Sequence, residues 1–279
     1  MFLNGFKKMM WAVLCAGILS PAFAAPKEET VTLSTQDGWN LSALYLPANG
    51  KHTAVVLLHD LGKQKDDFST FKKSLAKEGF AYLAVDLRGH GQSTGGGTYK
   101  TFAKEGMDNP FNKMTYDVQS AADFLQKKGF TLDQILLLGT GLGANVTAKT
   151  AGLLPDIGGL ALISPNVNIR DVLVIPSLKL YKGNVLIAAS AGDRKGFLEA
   201  SILRNVAFLS AGDGRVTFLT AYDFTGHELL DKYITQSVLQ WINTPHKPDV
   251  LPGISSHAEP EEDATSVSSG GLIPSVLAD

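Results

Sequence analysis

Residues 135–144 read Ile135-Leu136-Leu137-Leu138-Gly139-Thr140-Gly141-Leu142-Gly143-Ala144. Ile135 to Leu138 is a short, unbroken apolar run, as expected of a strand buried on both faces. Glycines at alternate positions then form a tight turn, and Leu142 to Ala151 reads as the helix leaving it. A buried strand that feeds a helix through such a turn is half of a crossover unit, so its neighbours decide the architecture.

Working outward, the same alternation recurs on both sides. Ala54 to Leu58 and Tyr82 to Val85 are apolar strand-length runs. Between them Phe68, Phe71 and Leu75 mark one helical face, and Gly79 is a C-terminal stop. Val118, Ala121, Ala122 and Leu125 stripe a second helix that ends before Gly129. Near the beginning, Val31 to Ser34 and Leu41 to Leu46 bracket Asp37-Gly38 as an antiparallel hairpin. Downstream, Leu160 to Ile163, Val185 to Ala189 and Val216 to Leu219 are strands, and Leu230, Ile234, Val238 and Trp241 stripe a last helix. The spacing predicts one doubly wound α/β domain over residues 25–244, with a mostly parallel sheet.

Composition agrees with one globular domain: 279 residues, 44% hydrophobic and 19% charged. A formal net charge of −2, from 25 basic and 27 acidic side chains, argues against nucleic-acid binding. The single cysteine, Cys15, excludes an intramolecular disulfide framework and a thiolate metal cluster. Both ends differ from the body. Lys7 and Lys8, the apolar run Met9 to Leu19, and Ala22-Phe23-Ala24 read as a secretory signal over residues 1–24, cleaved after Ala24. That run is shorter than the roughly 20 residues a membrane span needs. The expected mature protein is therefore exported, periplasmic or secreted, without a thiol and without a span. Residues 245–279 carry the acidic run Glu259 to Asp263 and Ser/Gly-rich stretches, and they read as a flexible tail. The tail holds most of the excess acidity, which leaves the body nearly neutral.

Ligands of doubly wound sheets sit beyond the carboxyl ends of the strands. The polar residues at those places are His59-Asp60-Leu61-Gly62, Asp86 to Ser93, Gly139 to Ala144, Asp193-Arg194 and Thr225-Gly226-His227-Glu228. In this order they resemble the α/β-hydrolase fold, closest to its dienelactone-hydrolase and serine-aminopeptidase-like members, over nearly all of residues 30–244. The resemblance implies helices on both faces of the sheet. It puts the acid of a catalytic triad at Asp193 and the histidine at His227, in the order expected of this superfamily. It also implies an oxyanion hole formed by the backbone N–H groups of Leu61 and Leu142, with His59, Asp60, Thr140 and Phe224 around the pocket. Only about twenty residues, Pro165 to Gly183, separate the sixth and seventh strands, too few for a large lid domain.

Two positions depart from the family pattern. The nucleophile elbow of these hydrolases reads G-x-S-x-G, and Gly141 stands at the serine position. Glycine forms neither an alkoxide nor an acyl-enzyme, and loss of the nucleophile costs such enzymes on the order of 10⁶ in turnover. Asp60 stands where the oxyanion loop usually has glycine and is expected to alter that loop. The first reading is thus a catalytically degenerate hydrolase, whose inherited cleft binds a small apolar or ester-like ligand or a protein partner. The second is an active hydrolase or lyase that uses a His227–Asp193 dyad, or Thr140 or Ser164 as nucleophile. No motif calls for a cofactor. A metal site from His59, Asp86, His90 and Asp193 is the weaker reading, because the two histidines have structural places in the loops. The connection Arg88 to Met114, with Tyr99, Phe102 and Phe111, reads either as a flap over the site or as a surface loop with its aromatic residues tucked in.

Overall fold

A computed structural model describes residues 26–106 and 108–244. The signal-like segment 1–24 with Cys15 and the acidic tail 245–279 lie outside the described residues. The chain order is β1 (Glu29–Ser34), β2 (Asn40–Leu46), β3 (Ala54–Leu58), α1 (Ser69–Glu78), β4 (Ala81–Val85), α2 (Thr115–Lys127), β5 (Ile135–Thr140) and α3 (Leu142–Ala151). It continues with β6 (Gly159–Ile163), two very short strands β7 (Asn168–Ile169) and β8 (Val172–Leu173), α4 (Ile175–Leu178), β9 (Asn184–Ser190) and α5 (Arg194–Ala211). It ends with β10 (Val216–Ala221), α6 (Gly226–Leu229) and α7 (Thr235–Asn243).

Eight strands form one sheet in the order β1-β2-β4-β3-β5-β6-β9-β10. β1 and β2 form the expected antiparallel hairpin, β2 pairs antiparallel with β4, and every other pairing is parallel. β3, β5, β6 and β9 are buried along their whole length, which explains why they read as continuous apolar runs rather than alternating ones. Two apolar layers cover the faces. Ala121, Val146, Leu178 and Leu203 bring α2, α3, α4 and α5 onto one side, and Phe71, Leu229 and Val238 bring α1, α6 and α7 onto the other. Each fully buried Leu, Ile or Val side chain contributes roughly 1.5–3 kcal/mol. The doubly wound sheet with helices on both faces is present as predicted, and no large lid interrupts it.

Three local features differ from the sequence reading or decide between its alternatives. The 18-residue helix α5 was not anticipated. Its inward residues Ala200, Leu203 and Ala207 are matched by apolar residues facing outward, so no single stripe stands out. The last helix starts earlier than its stripe, at Gly226, and passes through a π-helical turn, Leu230–Ile234, before α7. The Arg88–Met114 connection is a loop with tucked-in aromatic residues, not a flap. Phe102 and Phe111 are buried, and Phe102 meets both Trp39 and Phe111 edge to face. Arg88 pins its start through the Asp37 and Asp117 carboxylates. Among the described residues no helix is long and apolar enough to cross a membrane.

Candidate functional site

The parallel register brings the ends of β3, β5, β6, β9 and β10 to one edge of the sheet. The turn from β5 to α3 lies at the centre of that edge. Gly141 occupies it with φ +51° and ψ −116°, a conformation in which an L side chain is strained. Its N–H donates to the Ile163 carbonyl, which fastens the turn to β6. Gly143 lets the first turn of α3 pass close to β3, because a Cβ there would meet the Leu58 carbonyl.

Asp60, just past the end of β3, fills the space above the turn. A Cβ placed on Gly141 would run into its carboxylate. The same Oδ1 atom accepts hydrogen bonds from the N–H groups of Leu61 (2.7 Å) and Leu142 (2.7 Å). Those are the two donors that the sequence resemblance assigns to the oxyanion hole, and both are satisfied by this carboxylate. Leu142 opens α3, so the negative charge also sits at a helix N-terminus, where it is favoured.

His59 holds the Asp60 loop from behind. Its Nε2 accepts the Leu87 N–H at 3.0 Å, so Nδ1 carries the proton and donates to the Asp60 carbonyl at 2.8 Å. Full burial, with His90 adding to it, pushes the His59 pKa down to about 4. The ring is therefore neutral at physiological pH, as this donor–acceptor arrangement requires. His90 Nδ1 donates to the Arg88 carbonyl of its own loop at 3.0 Å, and the ring stacks on Tyr99 with 4.2 Å between centroids. Asp86 does not converge with these histidines as a ligand set. It forms a buried ion pair with Lys65 at 2.5 Å and accepts the N–H groups of Lys65 and Gln92. Among the described residues no group of three or more His, Cys, Asp or Glu side chains is arranged to hold a metal ion.

A cavity of about 130 Å³ opens beside Gly141. Asp60, Ser164, Asn166, Ser190, Asp193 and Thr225 give it a polar lining. Ser164 ends β6 with φ +53°, and its Oγ accepts the Gly226 N–H at 2.8 Å. The Asp193 side chain caps α5, accepting the Gly196 N–H at 3.0 Å.

Of the residues singled out in the sequence, Gly141, Asp60, Asp193 and Ser164 meet at this cavity, while His227, His59, Thr140 and Phe224 do not line it. Among the described residues no hydrogen bond joins His227 to Asp193. The chain turns into α6 directly at Gly226, so His227 stands in the first turn of that helix, four residues before Asp231. Burial raises the Asp231 carboxyl above its ordinary value, against an opposing pull from the His227 side chain. Phe224, at φ +64°, packs against Tyr233 and under the Lys232 ammonium instead of facing the cavity. Thr140 is buried within β5.

The model of the serine aminopeptidase family, S33, matches residues 50–193, more than half of the 279-residue chain. The chain belongs to this family. The matched span carries the Asp60 loop, the Gly141 turn and Asp193, and it stops short of His227. No curated protein matches the chain. This serine aminopeptidase-family domain is similar to solved structures of an esterase from Pyrococcus furiosus (TM-score 0.64, 16% identity, covering 79% of this chain and 94% of that one). It is also similar to a dienelactone hydrolase from Anabaena variabilis (TM-score 0.63, 14% identity, 80% and 100%) and an esterase from Exiguobacterium antarcticum (TM-score 0.60, 15% identity, 77% and 100%). At these identities the likeness establishes the shared α/β-hydrolase fold.

Sequence reasoning flagged Asp60 as a departure in the oxyanion loop but did not pair it with Gly141. The two positions are 81 residues apart, and only the β3–β5 pairing brings them together. The polar contributions of Asn166 and Ser190 were also missed, since neither belongs to a recognisable motif.

Proposed function

We propose that the chain is a catalytically silent member of the serine aminopeptidase family, whose cleft serves for binding. The observation that carries this reading is the Asp60 carboxylate over Gly141. It occupies the volume a nucleophile side chain would need, and it holds both N–H groups that would stabilise a tetrahedral oxyanion. Two catalytic functions are therefore lost together: there is no hydroxyl on the elbow, and the oxyanion hole is already filled by a negative charge. The third, a histidine oriented by an acid, is missing as well, because no hydrogen bond joins His227 to Asp193 among the described residues and Asp193 caps α5.

The cleft that remains is small and polar. It suits a compact ligand rich in hydrogen-bond donors better than the apolar acyl group of an ester, because Asp60 and Asp193 present acceptors and the lining carries no cationic side chain. We further propose that residues 1–24 direct export, on the pattern of Lys7, Lys8, the apolar run and Ala22-Phe23-Ala24. N-terminal sequencing of the exported chain should then begin at Ala25.

The test of silence is direct. The full chain is assayed with p-nitrophenyl esters and a fluorophosphonate probe, beside a His227→Ala variant. No labelling, and no turnover above that variant, is the expected result. Turnover that His227→Ala abolishes would overturn the reading.

A further inference from the structure

The outward face of α5 carries a row of apolar side chains left uncovered among the described residues, with the polar Asn205 beside it and Lys195 at its start. Leu198, Ile202 and Leu209 are 62%, 41% and 83% exposed. At 100° per residue the three fall within about 40° of one another, so they form one stripe along the helix. The end of α5 is tied to the α4–β9 loop: Ser210 Oγ donates to the Lys179 carbonyl, and Lys182 Nζ donates to the Ser210 carbonyl. This places the exposed Leu180 at the same end. That end is also basic. Lys179, Lys182 and Arg215 are exposed there, against a single carboxylate, Asp213.

Residues 245–279 have the complementary pattern in the matching order. The acidic run Glu259 to Asp263 comes first, and the apolar residues Leu272, Ile273, Val276 and Leu277 follow. We propose that this C-terminal segment docks on α5, its acidic run against Lys179, Lys182 and Arg215 and its apolar end along Leu209, Ile202 and Leu198. The lengths fit. Fifteen residues from Thr244 to Glu259 reach up to about 50 Å when extended, more than the width of a domain of this size. The nine residues from Asp263 to Leu272 reach up to about 30 Å. The twelve helical steps from Leu198 to Ser210 span only about 18 Å. The segment thus has enough chain to run from the basic end of α5 toward its N-terminus. Both parts of the contact are needed, because the acidic run alone faces a solvated surface and the apolar end alone has no register.

Cysteine pairing in the full chain tests this, in a Cys15→Ala background that leaves no native thiol. Ile202→Cys with Val276→Cys reports the proposed contact. Leu153→Cys with Val276→Cys is the control, since Leu153 lies outside the stripe and is more exposed than Ile202, 53% against 41%. Under mild oxidation the first pair is expected to form an intrachain disulfide at least about tenfold faster than the control, the gain an intramolecular contact gives in effective concentration. Adding Lys179→Glu and Lys182→Glu should remove that advantage. Equal rates for the two pairs overturn the proposal. So do disulfides formed between chains, which would assign the α5 stripe to a second copy.

Discussion

The Asp60 carboxylate and the Gly141 backbone share a volume that only one side chain can use. Asp60 reaches over the β5–α3 turn, takes the N–H groups of Leu61 and Leu142, and leaves no room for a Cβ at residue 141. Both stood out in the sequence against the pattern that the resemblance implies, and in the structure they compensate each other. Glycine at the turn makes the space, and aspartate uses it to accept the N–H groups of Leu61 and Leu142.

Restoring the hydroxyl alone is therefore predicted to fail. Gly141→Ser must adopt a strained φ, costing about 1–3 kcal/mol, and must displace a carboxylate that holds two backbone donors. Thermal melting should show a drop of several degrees, with no fluorophosphonate labelling. Combining it with Asp60→Gly should recover part of the stability by clearing the space. The double variant should stay unlabelled, because no hydrogen bond joins His227 to Asp193 to orient it as the base.

Asp60 itself should matter more as an acceptor than as a charge. Asp60→Ala leaves two inward N–H groups without their partner and is expected to cost about 1–3 kcal/mol. Asp60→Asn keeps an oxygen in the same place and should cost clearly less. Denaturant midpoints for the two variants decide this, and equal losses would count against the hydrogen-bond account.

His59 makes stability depend on pH. Its folded-state pKa, about 4, lies below the ordinary 6.5, so the unfolded chain binds the extra proton first on acidification. The contribution is present in full above pH 6.5 and is lost as the pH falls toward 4, by roughly 3 kcal/mol in total. Asp117 works in the opposite sense over an overlapping range, since burial raises its carboxyl to about 6 although Arg88 pulls it down. The two are separated by comparing the chain with His59→Gln, whose amide can donate and accept in the same place. Stability of the variant, followed by urea unfolding, should fall less than that of the parent between pH 6.5 and 4.

The buried Arg88 holds Asp117 and Asp37 together and anchors the start of the long connection. Arg88→Leu leaves the fully buried Asp117 without its counter-ion, a change expected to cost about 3–5 kcal/mol at pH 7. Because Asp117 can then be buried as the neutral acid, the loss should shrink at pH 5. Urea unfolding at the two pH values checks both the size and the direction.

The sequence by itself determined the architecture. Strands buried on both faces leave unbroken apolar runs, helices with one covered face leave stripes, and turns leave glycines, so β3, β5, β6, α3 and the opening hairpin were all legible locally. α5 was not, because apolar residues on its outward face cancelled the periodicity that marks an amphipathic helix. The site was legible only as a list. Gly141 and Asp60 each stood out as a departure, but their mutual exclusion depends on two strand ends lying side by side, a relation without a local signature. The same holds for His227 and Asp193: the family resemblance put them in the places of a dyad, and among the described residues no hydrogen bond joins them, Asp193 capping α5 instead. Local pattern records what each segment buries. Which side chains then meet at the edge of the sheet is decided by register and helix direction, and these exist only once the chain is folded.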